Sequence, residues 1–278
     1  MKNSTKFLLC ALCGFFLAAC SDKGNDANFV AGENAESEMQ LSSNSIASSS
    51  EIERISSTDV IASSSAAKQS DSLVSSSSIE YGSLTDSRDG RIYRTVVIGS
   101  QTWMAENLNY ETLDSYCYKD SPDSCEKYGR VYTWAGAMDS AAVFSTNSKD
   151  CGYGRLCIVS RPARGICPEG WHIPHRVEFD SLIVPVGGIN RKGTMLKSTS
   201  GWFADINGTD VYGFSAYPLG YRHTSGEFKD VGYRAYFWSS TEDFEYNAYY
   251  MHLYYASEIA DIDKWGKYNA FAVRCIQD

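Results

Sequence analysis

Six cysteines beyond residue 100 constrain the fold of the chain more than any other feature of the sequence. They are Cys117, Cys125, Cys151, Cys157, Cys167 and Cys275, and they follow Cys10, Cys13 and Cys20. No Cys-x-x-Cys pair occurs among the six, and the short spacings of six, eight and ten residues do not fit a zinc knuckle. We therefore predict disulfides rather than a metal site. Disulfides require an oxidising compartment.

The N-terminus predicts such a compartment. Two lysines precede an apolar run, Phe7 to Leu17, which is too short to cross a bilayer but suits a signal peptide over residues 1–19. The run ends in Leu17-Ala18-Ala19-Cys20, which resembles a bacterial lipobox, so we expect cleavage before Cys20 and lipidation of that residue. Ser21 in place of aspartate favours the outer membrane by the same resemblance. The alternative is a plain secretory signal followed by an incidental cysteine.

Residues 20–82 are predicted to form a disordered, serine-rich tether behind the lipid anchor. Residues 21–82 contain nineteen serines and carry a net charge of −7, whereas all six tryptophans lie beyond them. Such a composition cannot bury enough apolar surface to offset the entropy of ordering the chain. A glycosylated stalk is the alternative interpretation.

Residues 83–278 are long enough for one domain with its own core. Their net charge of −4 argues against a nucleic-acid partner, which requires a basic surface. We predict an α+β domain with two or three short helices, short antiparallel strands and much irregular loop. The predicted strands are Ile92–Ile98, Gln101–Met104, Gly213–Arg222, Ala235–Glu242, Ala248–Tyr255 and Asn269–Ile276.

Helices and turns are fewer. Thr133 is predicted to cap a short helix, a second helix is expected over Arg176 to Ile183, and a third near Lys192 to Lys197. Pro122-Asp123 predicts a turn between two cysteines, and Asp261-Ile262-Asp263 is interpreted as a solvated loop.

Proximity in the sequence suggests how the six cysteines pair. Cys117–Cys125 and Cys151–Cys157 would each close a short loop, which leaves Cys167–Cys275. That last bridge closes a loop of more than a hundred residues. In the chain-entropy model a loop of this length stabilises the fold by about 4–5 kcal/mol.

Several motifs of this region resemble the Fibrobacter succinogenes major paralogous domain. They are Asp86–Gly90, Ile98–Leu108, Tyr128–Trp134, Cys167–Pro174, Phe237–Glu242 and Val273–Cys275. The resemblance covers residues 83–278 and implies a C-type-lectin-like fold, in a group that includes the formylglycine-generating enzymes. It also implies a long disulfide from the helix region to the last strand, which supports Cys167–Cys275. It implies no activity.

The sequence contains no catalytic signature, and we predict no catalytic residue, metal site or cofactor. Formylglycine-generating enzymes use two closely spaced reactive cysteines near the C-terminus, whereas only Cys275 lies there in this chain. The calcium-dependent sugar motifs of lectins are absent, and no Gly-x-Ser-x-Gly elbow of a hydrolase occurs. His172 and His175 lie beside prolines at a helix entry, where a structural role is the better interpretation.

The aromatic run from Phe244 to Tyr255 is the one candidate binding feature. In a strand, Tyr250, His252 and Tyr254 would share one face and could form a partly exposed surface for sugar rings or a protein. The alternative is that these side chains pack beneath loops. The leading hypothesis is an outer-membrane lipoprotein carrying a non-catalytic module that binds carbohydrate or another envelope ligand. An enzyme related to the formylglycine-generating group and a passive structural component are the alternatives.

Overall fold

A computed structural model describes residues 78–186 and 193–278. The predicted signal peptide, Cys20 and nearly all of the predicted tether lie outside these ranges. Within them the strands are β1 Gly82–Thr85, β2 Ile92–Ile98, β3 Gln101–Met104, β4 Ser115–Tyr116, β5 Val131–Thr133, β6 Trp171–His172, β7 Tyr221–Arg222, β8 Phe228–Lys229, β9 Arg234–Asp243, β10 Asn247–Tyr254, β11 Ala260–Gly266, β12 Ala270–Ala272 and β13 Ile276–Gln277.

The helices are short. They are α1 Pro122–Tyr128, α2 Trp134–Ala137 and α3 Arg176–Ile183, with 3₁₀ turns at Tyr118–Asp120, Thr146–Ser148, Gly193–Met195 and Phe203–Asp205. None of the helices in the described ranges is long and apolar enough to cross a bilayer. The domain is therefore mixed α/β, with few helices and mainly antiparallel strands, which agrees with the predicted fold class at this coarse level.

The first sheet forms around the N-terminal hairpin that the sequence predicts. β2 and β3 pair antiparallel, with Ile98 opposite Gln101 across a turn that contains Gly99. Gly99 has a φ of 63°, a conformation that glycine adopts without steric cost. The strand order is β1-β2-β3-β13-β6. β13 therefore joins the hairpin to the Trp171 segment, which lies far from both in the sequence.

The second sheet is larger and contains the long β9–β10 hairpin. Its strand order is β11-β10-β9-β12-β5-β4, and β7 pairs with both β12 and β8. The pairings are antiparallel except for that between β9 and β12, which is parallel. The solvated loop predicted at Asp261-Ile262-Asp263 is wrong, because these residues lie in β11, with Asp263 opposite Tyr250. β11 forms the sheet edge, where polar residues are tolerated, so its sequence resembles a loop.

Three other local predictions need correction. Gly213–Arg222 is extended only at its end, because Gly213 and Gly220 adopt φ angles of 69° and 68° that interrupt a strand. Asn269–Ile276 is divided between β12 and β13, which belong to different sheets. The turn predicted at Pro122-Asp123 is the start of α1, because proline fits the first position of a helix.

The helix predicted over Arg176–Ile183 is confirmed as α3. The His175 side chain accepts a hydrogen bond from the Val177 amide, and Glu178 accepts one from the His175 amide at 2.7 Å, so the first turn is capped from both sides. Its buried face consists of Phe179, Leu182 and Ile183. Thr133 caps α2 as predicted, accepting from the Gly136 amide at 3.1 Å.

Core side chains cover both faces of the β9–β10 hairpin. On one face, Met251 and Leu253 belong to the cluster that contains the buried side of α3. On the other face, Trp238 and Tyr250 belong to a second, aromatic cluster. The indole of Trp238 donates to the Tyr132 carbonyl at 2.8 Å, so even this large ring is hydrogen-bonded in the interior.

Three disulfides fix the loops around these clusters. Cys117–Cys125 and Cys151–Cys157 close loops of eight and six residues, and Cys167–Cys275 spans 108 residues. These are the pairs that the cysteine spacing predicts. Cys167 and Cys275 are fully buried, and their bridge ties the loop before β6 to the segment between β12 and β13.

Candidate functional site

The three residues of the predicted binding surface do not form a common exposed face in the structure. Tyr250 is only 4% exposed and packs against Tyr236, Trp265 and Phe271, so its ring is not available to a ligand. His252 is largely buried beside Tyr250, and burial lowers its pKa. The prediction is wrong for Tyr250 because a strand's alternating pattern assigns one face to solvent, whereas this strand is covered on both faces.

Tyr254 lies at the end of β10, where an aromatic cluster reaches the surface. We call Phe203, Tyr233, Tyr254 and Tyr255 the exposed aromatic cluster. The rings of Phe203 and Tyr233 are stacked, with centroids 4.5 Å apart and an interplanar angle of 21°. The Tyr255 ring packs edge-on against both, at 5.3 and 5.4 Å. Phe203 is 45% exposed and Tyr233 is 39% exposed, so the stacked pair presents aromatic surface to solvent.

Backbone hydrogen bonds hold the exposed aromatic cluster in place. The Phe203 amide donates to the Gly232 carbonyl at 2.8 Å, and the Tyr255 amide donates to the Tyr233 carbonyl at 2.9 Å. The cluster therefore joins three segments that are distant in the sequence. Because the rings also pack against one another on this ordered backbone, little side-chain entropy remains to be lost when a ligand binds.

Tyr254 extends the exposed aromatic cluster toward a charge. Its ring lies edge-on to Tyr255, with centroids 4.7 Å apart, and the guanidinium carbon of Arg234 lies 4.7 Å from its ring centroid. A cation over the ring restrains it and offers hydrogen-bond donors at the edge of the aromatic surface. The arrangement provides apolar ring faces beside a polar group, which suits a ligand with both apolar faces and hydroxyl groups.

A second exposed aromatic group lies at the opposite end of the β9–β10 hairpin. The Tyr153 ring packs against Tyr246 at 5.1 Å and against Tyr268 at 5.3 Å, edge-on in both cases. No pair in this group is stacked, and the neighbouring cation, Lys267, is buried over the ring of Trp134 rather than over a ring of this group. The second group is therefore a natural comparison for the exposed aromatic cluster.

Within residues 78–186 and 193–278, no three His, Cys, Asp or Glu side chains are arranged to hold a metal ion. All six cysteines in these ranges form disulfides.

Comparison with known proteins identifies the domain. Residues 96–277 match the family model described as the Fibrobacter succinogenes major domain, over more than half of the chain. The chain belongs to this family. No curated protein and no solved structure matches it. The match includes both cysteines of the long bridge and all members of the exposed aromatic cluster.

In this Fibrobacter succinogenes major domain, His172 forms a charged triad with Glu178 and Asp278 at the sheet edge. The His172 Nδ1 atom lies 2.7 Å from an Asp278 carboxylate oxygen, and its Nε2 atom lies 2.9 Å from Glu178. Burial disfavours the charged imidazole, but the hydrogen bonds and charges of Glu178 and Asp278 outweigh it, so the pKa of His172 is raised above 6.5. Both ring nitrogens are occupied, so His172 has a structural role, as its sequence context predicts.

The triad predicts a pH dependence of stability. Because the folded state raises the pKa of His172, its stabilising contribution is complete below about pH 6.5 and is lost as the pH rises through the folded pKa. Charge-assisted bonds are roughly twice as strong as neutral ones, so we expect a loss on the order of 1–2 kcal/mol between pH 5.5 and 9. Urea unfolding at both pH values measures it. His172→Gln should remove this dependence, and an unchanged slope in the variant would refute the assignment.

Sequence reasoning missed three of the four members of the exposed aromatic cluster. It included Tyr254 but not Phe203, Tyr233 or Tyr255. The sequence offers only a weak indication of this cluster. Its aromatic residues lie near turn residues, such as Gly201 and Gly232, and do not follow a regular pattern. Long-range contacts assemble the cluster, and these cannot be obtained from local periodicity.

Proposed function

We propose that this protein is an outer-membrane lipoprotein, anchored through Cys20, that presents residues 83–278 as a non-catalytic carbohydrate-binding module. The exposed aromatic cluster carries the proposal. Its stacked Phe203–Tyr233 pair is exposed, backbone hydrogen bonds hold the segments that carry it, and a cation, Arg234, lies over the neighbouring Tyr254 ring. Such aromatic surfaces bind the apolar faces of sugar rings, and the neighbouring polar groups bind the hydroxyls.

We also propose that the domain has a C-type-lectin-like fold. Three features support this assignment. A Trp-His-Ile-Pro segment leads into α3, the chain returns to pair β13 with β6, and the Cys167–Cys275 bridge joins the two regions. The lipid anchor and the tether rest on the sequence features of residues 1–82.

The bridge also bears on the enzyme alternative. An enzyme of the formylglycine-generating kind needs a free, reactive thiol near the C-terminus. Cys275 is bonded to Cys167 and fully buried, which supports the binding module over that chemistry.

The full-length protein in detergent should bind at least one glycan or insoluble polysaccharide from a broad panel. Replacing both Phe203 and Tyr233 with alanine should weaken that binding about tenfold, since each aromatic contact contributes on the order of 0.5–1.5 kcal/mol. A glycan array and co-sedimentation with cellulose, xylan and chitin measure it.

The matched control is Tyr153→Ala with Tyr246→Ala. These two tyrosines are 54% and 49% exposed, so the control removes as much aromatic surface from the other end of the hairpin. We expect it to leave binding within twofold of the parent protein. Equal losses in the two double variants would refute the site, and no binding across the panel would favour a passive envelope component.

A further inference from the structure

A polar pocket of about 330 Å³ lies on a different part of the domain from the exposed aromatic cluster. β2, α1 and the segment after β3 form most of its wall, and its lining includes Arg91, Arg94, Asn107, Lys127, Tyr217 and Arg274. No residue of the exposed aromatic cluster lines it. Its volume is at the lower end of the range for small-molecule sites, which suits a ligand of about one sugar ring.

The charges that line this pocket do not balance. The lining contains four cations, Arg91, Arg94, Lys127 and Arg274, and two carboxylates, those of Glu106 and Glu126. Each carboxylate is already paired with an arginine.

The two pairs are short. Arg91 binds Glu126 through two bonds of 2.8 and 3.0 Å, and Arg94 binds Glu106 at 2.9 Å. Lys127 and Arg274 contact no carboxylate within the described residues. The pocket is therefore locally positive in a chain whose net charge is −9.

Arg274 is the unusual member of this set because it is buried without a counterion. It is 1% exposed, and its Nε atom donates to the Asn107 amide oxygen at 2.7 Å. Its terminal nitrogens donate to three backbone carbonyls, those of Met104, Phe214 and Ser215. All four acceptors are neutral.

These bonds leave Arg274 without a carboxylate in direct contact, although Asp210 and Glu106 favour its charged form without touching it. Burial lowers its pKa to about 9, so the guanidinium is still charged at neutral pH. A buried cation without an anion is costly, and an arriving carboxylate would offset that cost. A guanidinium carries five N–H donors, and four hydrogen bonds are accounted for, so one donor remains.

The rest of the wall indicates what else the ligand carries. The rings of Tyr128 and Tyr217 are stacked there with centroids 4.4 Å apart, and Asn109, Ser198 and Ser215 add amide and hydroxyl groups. Aromatic rings beside hydroxyl-binding groups suit a sugar ring, whereas the unpaired cations require an acid. We propose that this pocket binds a uronic acid, with the carboxylate directed at Arg274 and Lys127.

Calorimetric titration of the full-length protein in detergent tests the site. Sodium glucuronate should bind with at least tenfold higher affinity than glucose, which has the same ring without the carboxylate. Raising the salt concentration should weaken glucuronate binding, because Lys127 is exposed to solvent. Equal affinities for glucuronate and glucose would overturn the proposal. Malonate, a dicarboxylate without a ring, should bind at least fivefold more weakly than glucuronate, and equal binding would overturn the assignment to a sugar acid.

Two charge reversals make the test specific. Lys127→Glu should weaken glucuronate binding about tenfold, whereas Lys119→Glu should change it less than twofold, because exposed Lys119 does not line the pocket. Indistinguishable effects would overturn the proposal. Arg274→Lys should also weaken binding, but it risks unfolding a buried site, so exposed Lys127 provides the decisive variant. Phe203→Ala with Tyr233→Ala should leave glucuronate binding unchanged, which separates this pocket from the exposed aromatic cluster.

Discussion

Replacing both Cys167 and Cys275 with alanine should lower the free energy of unfolding by about 5 kcal/mol. The bridge closes a loop of 108 residues, and constraining so long a loop in the unfolded chain gives the largest entropic gain of the three disulfides. Domains of this kind are commonly stable by only about 5–15 kcal/mol. The loss should therefore leave a domain that is marginally stable at 37 °C.

The matched controls are the other two disulfides. Removing Cys117–Cys125 or Cys151–Cys157 should cost about 2–2.5 kcal/mol each, because their loops are eight and six residues long. Urea unfolding followed by tryptophan fluorescence measures all three variants. An equal loss from each pair would show that loop length is not the source of the stability. Unpaired thiols titrated in the denatured parent protein would contradict the pairing itself.

The sequence predicts the disulfides, the β2–β3 hairpin and α3 well, because each depends on residues that are close together in the chain or on a small number of cysteines. Cysteine positions leave few plausible pairings once the nearest neighbours are joined. The β2–β3 hairpin is predicted because a β-branched run, Gly99 and a second short run lie next to each other. α3 is predicted because its cap and its apolar residues are contiguous, and its bounds match the expected ones.

The sequence fails where the environment of a segment depends on distant residues. Tyr250 has the alternation of a half-exposed strand, yet Trp265 and Phe271, from β11 and β12, cover its face. Asp261 and Asp263 resemble a loop because their strand is at the sheet edge. Propensity cannot distinguish these cases, since partner strands decide which faces are buried.

The candidate sites depend even more on contacts between residues that are distant in the sequence. Phe203 and Tyr233 are thirty residues apart, and long-range contacts such as the hydrogen bond from the Phe203 amide to the Gly232 carbonyl bring their rings together. Arg274 belongs to a motif that resembles one found in the family. The motif does not reveal that the Arg274 guanidinium is buried with no carboxylate in contact. Both sites are products of tertiary packing.

Lys267→Met should destabilise the domain by about 3–5 kcal/mol, although it replaces one side chain with another of similar shape. The Lys267 ammonium is buried, forms an ion pair with Glu242, and donates to the carbonyls of Gly152, Arg155 and Glu245 at 3.1–3.2 Å. It therefore connects the end of β9 with the loop that the Cys151–Cys157 bridge closes. Methionine would remove this donor from all three carbonyls, of which that of Glu245 keeps only the Gly154 amide. It would also leave a largely buried carboxylate without a cation, which is the costly way to break a buried pair.

Lys264→Met is the matched control, because Lys264 lies three residues earlier and also forms an ion pair. Its Nζ atom is 3.1 Å from Asp243, but its side chain is 51% exposed, so we expect a much smaller loss than from Lys267→Met. Adding Glu242→Gln to Lys267→Met should restore part of the lost stability, since the unpaired carboxylate is then neutral. Urea unfolding of the four proteins measures these differences. Equal stability of the two lysine variants would contradict this prediction. It would show that the buried Lys267 ammonium does not hold the loop to the sheet.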